Sequence, residues 1–511
     1  MAVRAGKASS EEDFEIVEPR ASSMLEALRA VGYSVQTALA DLIDNSITAG
    51  AQNVWLTFHW NGADSYITLR DDGRGMTEAE LADAMRPGNR SPLDEREPND
   101  LGRFGLGLKT ASFSQARRLT VTSIKSGYGR AIRRWDLDYV GETGQWRLLK
   151  AAASGSASRL SSLVDQAHGT LVLWEQMDRI VGKAHKNDVQ AQNRFLALAR
   201  SVGRHLGMVF HRYLEAADGK SPLRIYLNGT KADLLVHPWD PFCSAHVATD
   251  SFPEDVLELH GSRVLVTGYV LPHKDRMKED EHEAAGGPGG WNAQQGFYVY
   301  RERRLLVAGG WLNLGYANEE HYKLARLRVD IPNSTDADWD IDVKKSRARP
   351  PAVLEERLRE LADTVRKRAR EVFVHRGARG HSPGTAAIED AWYSVTTRGR
   401  LGYRIRRDHP LVKFVMDRQG ADSKPLNALL RLLEETVPVQ RIWLDTAERP
   451  EAHATAFESD PPAKVVEVLE ELFKALRAAG ETADSAKQRI LTMSPFDQYT
   501  KFVNALGTRR H

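Results

Sequence analysis

The segment that most limits what this chain can fold into lies near its start. After Gly32, Tyr33 and Ser34, the apolar residues Val35, Ala38, Leu39, Leu42 and Ile43 recur at helical spacing, with Asp41, Asp44 and Asn45 set among them. The pattern predicts an amphipathic helix with Ser34 as its N-cap. At about 100° per residue, Asp41 and Asn45 lie within roughly 40° of each other, away from the apolar stripe. An acid and a carboxamide side by side suit a hard divalent ion, which prefers oxygen ligands, and a carboxylate able to take a proton from a water. Taken alone, the same residues also read as a solvated helix face.

Two further segments follow in order. Residues 54–58 and 66–70 alternate like strands around the turn residues 61–64, and the second strand runs into Asp71. A carboxylate there, with Gly73 and Gly75 behind it, can accept a proton from the edge of a flat ring that the backbone approaches closely. Asp-Asp-Gly is also an ordinary turn. Thr77 and Glu80 form a capping box for the next helix. Residues 86–101 are polar and proline-broken, too long for a routine connection. The third segment, 102–109, is Gly-Arg-Phe-Gly-Leu-Gly-Leu-Lys. A glycine-rich turn that ends at a helix N-terminus offers backbone N–H donors and the positive end of the helix dipole to phosphates.

In this order and spacing the three segments resemble the nucleotide pocket of the GHKL ATPases, the superfamily of DNA gyrase, heat-shock chaperones, histidine kinases and MutL. Residues 102–114 are closest to the MORC-like ATPases and their bacterial relatives, and 19–34 fit that group too. The resemblance covers about residues 12–375. It implies ATP and Mg2+ as cofactors, with Asp41 as general base where the family usually carries the longer Glu. It makes Asn45 the metal ligand and Asp71 the adenine acceptor, with Met76 packed on the base, while Asp44, on the adjacent helix face, is read as a brace of the site. Residues 86–101 become the lid over the triphosphate. Gly102, Arg103, Phe104, Gly105, Leu106, Gly107, Leu108 and Lys109 become the phosphate turn, Lys109 adding a charge. From a second domain the family returns a lysine to the γ-phosphate, and 339–346 resemble that position. Lys345 is the expected residue and Lys344 the alternative, because a one-residue shift in a strand reverses the side chain.

Within the superfamily, no phosphoacceptor helix hairpin is visible to suggest a histidine kinase. The third motif lacks MutL's arginine and glutamate, and no DNA-cleaving tyrosine module marks a topoisomerase subunit. A length of 511 residues suits two or three domains. The expected architecture is α+β: a GHKL (Bergerat) α/β-sandwich ATPase domain over 1–215, an α+β transducer-like domain over 216–378, and a mainly helical C-terminal domain over 385–511. Residues 118–124, 131–137 and 169–174 are read as strands of the first domain, and 223–229, 264–270 and 296–301 as strands of the second. A helix is expected from about 350 to 376. Its run 366–370 is a candidate contact for nucleic-acid phosphates, though such a run more often forms a solvated face.

The formal net charge of +2 argues neither for nor against a polyanionic partner. The single Cys243 excludes an internal disulfide and suits a reducing cytosol. No signal-peptide core and no bilayer-spanning run is present, so a cytoplasmic location without membrane contact is expected. The resemblance implies a slow Mg-dependent ATPase that forms an ATP-dependent homodimer and works as a clamp. It makes DNA a candidate partner, with a nuclease or helicase alongside, in genome maintenance or antiviral defence. A nucleotide-gated scaffold with negligible turnover and a chaperone-like ATPase are the alternatives.

Overall fold

The computed structural model describes residues 19–30, 32–88, 107–163, 166–216, 221–335, 338–341, 348–374, 391–397, 400–419, 424–442, 462–493, 496 and 499–507. Helix α1 (Ala21–Arg29) precedes α2 (Val35–Thr48), which starts where the sequence predicts. Ser34 Oγ accepts from the Thr37 backbone N–H at 3.1 Å, a cap that stabilises the helix by about 1 kcal/mol. Strands β1 (Asn53–His59) and β2 (Tyr66–Asp71) pair antiparallel, with Val54 opposite Asp71. The capping box of Thr77 and Glu80 opens α3 (Glu78–Met85). Then come α4 (Gly107–Gln115), β3 (Arg118–Ile124), β4 (Ala131–Asp136), α5 (Leu137–Thr143) and β5 (Gly169–Glu175).

Strand β5 inserts between β2 and β3. On one face of the sheet Val54, Leu56, Phe58, Ile67, Leu69, Leu119, Val121, Val172 and Trp174 join the core that α2 covers with Leu39 and Ile43. Asp71 and Thr170 continue that face toward the end of α2, which is how the second motif comes to lie beneath the first.

Helices α6 (Val189–Val209) and α7 (His211–Leu214) return the chain to β6 (Arg224–Leu227). The reading of 223–229 as a strand of the second domain is corrected here: β6 pairs in parallel with β1 and completes the six-stranded first sheet, in the order β4-β3-β5-β2-β1-β6. Alternation identifies a strand but not its sheet. Ile225, fully buried in the first core, makes the assignment.

A second sheet follows, built from β7 (Asp250–Ser251), β8 (Asp255–Leu259), β9 (Ser262–Val270), β10 (Gly296–Arg301), β11 (Arg304–Ala308) and β12 (Ala325–Ile331). Its order is β11-β10-β12-β9-β7, with β8 also on β9, and short helices α8 (Glu279–Ala285) and α9 (Gly290–Ala293) lie between β9 and β10. Every residue of β10 is buried, so both faces of the sheet are covered there. Phe297 and Val299 share a core with Leu354, Leu358 and Val365 of α10 (Ala352–Val374). Tyr298 and Tyr300, pointing the other way, enter the first core beside Phe210 and Phe242. The two sheets are thus joined by a buried seam. The strand expected at 339–346 does not form among its described residues: 338–340 make a turn that buries Trp339, and 342–347 lie outside the described residues.

The C-terminal part is mainly helical, as expected. Among its described residues are a hairpin, β13 (Trp392–Thr397) with β14 (Arg400–Ile405), and helices including Lys424–Glu435 and Pro462–Ala478. Val465, Leu469, Leu472, Leu476 and Ile490 give it a core of its own. Among the described residues no helix is long and apolar enough to cross a membrane.

Candidate nucleotide site

Asp71 ends β2 with a side chain 5% exposed. Its Oδ1 accepts the N–H groups of Gly73 at 3.0 Å and Thr170 at 3.2 Å, and its Oδ2 accepts the Ser46 hydroxyl at 2.9 Å. Burial pushes the carboxyl above its usual range, and these three donors oppose the rise. About four lone-pair positions surround a carboxylate, so the network takes three and leaves one for a ligand donor.

The glycines behind it serve a purpose the sequence does not disclose. Gly75 has φ of 68°, and a Cβ there would stand 1.8 Å from the Ile124 carbonyl oxygen. At Gly73 a Cβ would meet that of Ala49 at 2.8 Å. Close approach is needed, but between this loop and its own neighbours. Met76 is half-buried against the core and its N–H donates to Ser123 Oγ at 2.8 Å.

The first and third motifs meet at Gly107, the first residue of α4. A Cβ on Gly107 would lie 3.6 Å from Asp41 Oδ2, so a larger side chain would crowd the carboxylate. Asn45, one turn further along α2, is exposed. Asp44 turns to the second sheet, where its Oδ1 lies 3.2 Å from Arg304 Nε, both side chains being almost wholly buried. Leu108 packs on the first core. Lys109 is buried, with its ammonium donating to the Ala84 carbonyl at 3.0 Å, and burial lowers its pKa to about 8. Gly102, Arg103, Phe104, Gly105 and Leu106, the lid segment from 89 to 101, and both Lys344 and Lys345 lie outside the described residues.

Three contributors escape a reading of the sequence. Ser46 stands beside Asn45 in the first motif, so its hydroxyl was within sight; Thr170 offers only a backbone N–H, which no residue type announces. Arg304 sits in a run of three arginines and a glutamate, 301–304, whose place in space is set 260 residues from its partner.

A buried carboxylate at a strand end, a helix carrying an acid and an amide above it, and a second helix starting against that acid thus lie in the first domain. Residues 33–170 match the family described as histidine kinase-, DNA gyrase B- and HSP90-like ATPase, so the first domain is a GHKL ATPase domain. Among characterised proteins the chain is similar to the ATPase morc-1 of Caenorhabditis elegans, 32% identical over 91 residues, which is 18% of this chain and 10% of that protein. It is also similar to the DNA mismatch repair protein MutL of Rickettsia akari, 30% identical over 98 residues, and of Halobacterium salinarum, 33% identical over 110 residues. These matches cover 19% and 21% of this chain and 16% of each MutL. The chain therefore spans only a small part of the length of these relatives.

Proposed function

We propose that the protein binds and hydrolyses Mg-ATP and that ATP binding drives two copies together. The observation that carries this is the convergence of three sequence-distant motifs on one site, with Asp41 against the N-terminus of α4 and Asp71 held beneath α2. Asp71 would take the adenine amino group through its remaining acceptor position. The start of α4 would face the phosphates with the positive end of its dipole. Asn45 is an exposed oxygen donor, and no group of three His, Cys, Asp or Glu side chains able to hold a metal occurs among the described residues. Such a donor fits Mg2+, an ion that keeps most of its waters and shares the nucleotide's phosphates. When bound, the ion offsets phosphate charge. Asp41 accepts the proton of the attacking water, and Lys345, or Lys344 in the other register, contacts the γ-phosphate.

Phosphate release by the purified chain tests the reading. Asp41→Asn keeps the shape of the side chain and removes its basicity, so turnover should fall about 10²-fold while ADP affinity stays close to that of the parent. Unchanged turnover would remove Asp41 from the chemistry. Light scattering with a non-hydrolysable ATP analogue should show a rise in mass, and a mass indifferent to nucleotide would sink the clamp. DNA, with a nuclease or helicase as accompanying partner, belongs to the same proposal, supported by the likeness to a mismatch repair protein. Binding that weakens steeply with salt is the expected sign of phosphate contacts.

The alternative of a nucleotide-gated scaffold is favoured by one feature, the carboxylate of Asp41, which is a methylene shorter than the family's usual Glu. Tight ATP binding with no phosphate release would select it.

A further inference from the structure

The turn between β10 and β11 consists of Glu302 and Arg303, with φ of 47° and 70°. Two consecutive residues in the left-handed region normally call for Asn-Gly or Asp-Gly, since a Cβ is disfavoured there. What holds this turn is the ATPase domain. The Tyr213 hydroxyl donates to the Glu302 carbonyl, the Arg303 guanidinium donates to the Arg212 carbonyl, and Arg212 pairs with Asp330 on β12. The turn thereby delivers the next residue, Arg304, into the ATPase domain. Its guanidinium donates to the Leu305 carbonyl, lies over the Phe210 ring at 5.4 Å, and reaches Asp44 with Nε 3.2 Å from Oδ1. The two side chains are 5% and 2% exposed. Charges this deep act on each other with little screening.

We propose that Arg304 is a positioning residue of the nucleotide site, acting through Asp44 on helix α2. Asp44 is three residues after Asp41 and one before Asn45. A grip on it fixes the rotation and depth of the turn that presents both groups. Hydrolysis consequently depends on the second domain being seated, through a contact separate from any lysine reaching the γ-phosphate. The inference rests on the ATP-hydrolysing reading of the site. Its leverage is geometric, because a displacement of about 1 Å at reacting groups costs about 10²-fold in rate.

The test uses the full chain with Arg304→Met and Arg304→Lys, measuring turnover, ADP affinity, and backbone hydrogen exchange of 41–49 without nucleotide. Arg304→Met should lower kcat at least about tenfold, leave ADP affinity within about threefold of the parent, and speed exchange in 41–49. Arg304→Lys, keeping the charge but not the planar fork, should recover part of the turnover. A merely structural role predicts a lower melting temperature with full kcat in the folded protein, and that result overturns the proposal. A collapse of ADP affinity alongside kcat also overturns it, since Arg304 would then act on the nucleotide itself. Should Arg304→Met fail to fold, the pair Asp44→Asn with Arg304→Gln removes both charges without leaving one buried alone. Low turnover in that variant supports positioning and parental turnover refutes it. If the parent chain hydrolyses no ATP, the proposed function fails by itself. Hydrogen exchange then decides the inference, and unchanged rates in 41–49 reject it.

Discussion

A carboxylate recognises a ring edge only if its lone pairs are aimed, and at Asp71 three fixed donors do the aiming. Ser46, Gly73 and Thr170 together hold the plane of the group so that its remaining acceptor position has one direction. Asp71→Asn replaces one oxygen by an amide that donates, which breaks at least one of these bonds and loses the charge. Hydrogen bonds to charged groups contribute about 1.5–3 kcal/mol, so ADP affinity should fall at least about tenfold by titration calorimetry. Parental affinity in that variant would place adenine elsewhere. The places of Asp41 and Asn45 on α2 and of Asp71 at the end of β2 were legible in the sequence, because helical period and strand alternation mark the elements; the burial of Asp41 was not. The partners of Asp71 were not all legible, since the Thr170 N–H comes from 99 residues away and any residue there could supply it. Asp44 forms an ion pair with Arg304. That partner was not legible in the sequence, because Arg304 belongs to another sheet.

At the scale of elements, α10 shows how a basic run misleads. Residues 366–370 read as a candidate surface for phosphates, but Arg366 is 7% exposed and sits among three rings, Trp311, Tyr316 and Tyr322, at 4.9, 4.1 and 4.0 Å. Arg368 pairs with Asp250 and Glu371. Only Lys367 and Arg370 of the four cations are exposed. Helical periodicity accounts for this: residue 366 stands one position from Val365 on the buried stripe, and long side chains follow apolar surface inward. Arg366→Ala should therefore lower stability by about 2 kcal/mol or more in urea denaturation, the size of a desolvated cation–π contact. A change within about 0.5 kcal/mol, typical of surface sites, would contradict the cage. Lys367→Ala with Arg370→Ala should leave the fold unchanged, and is the fair probe of DNA binding at this helix. Strand β6 teaches the complementary lesson. Four residues of alternation are enough to name a strand, but its parallel partner β1 is set by the intervening helix α6 and by Ile225 reaching the first core.

For the whole molecule, the seam between the sheets is the feature with the broadest consequence, because it buries groups that titrate. His211 Nε2 lies 2.9 Å from the Tyr300 hydroxyl at the junction, and His205 lies close to Arg304. Burial first, then the neighbouring arginines, lower both imidazoles to about 4 from the usual 6.5, Asp240 opposing at His211. A folded-state pKa below the unfolded value means that the unfolded chain binds more protons between these limits, so stability falls as pH drops from about 6.5 to about 4. Each histidine contributes a slope of up to about 1.4 kcal/mol per pH unit in that window. His211→Gln removes one titrating group while leaving a side chain able to meet Tyr300. It should lose less stability than the parent between pH 7 and pH 4.5, whatever its stability at pH 7, when both are unfolded in urea. Parallel losses in the two proteins would show that His211 is not held neutral at the seam. If the loss is reduced as expected, the parent should also show lower protection against hydrogen exchange in β10 and β11 at the lower pH, once each rate is referred to the intrinsic rate at its own pH, since protonation acts where the two sheets join.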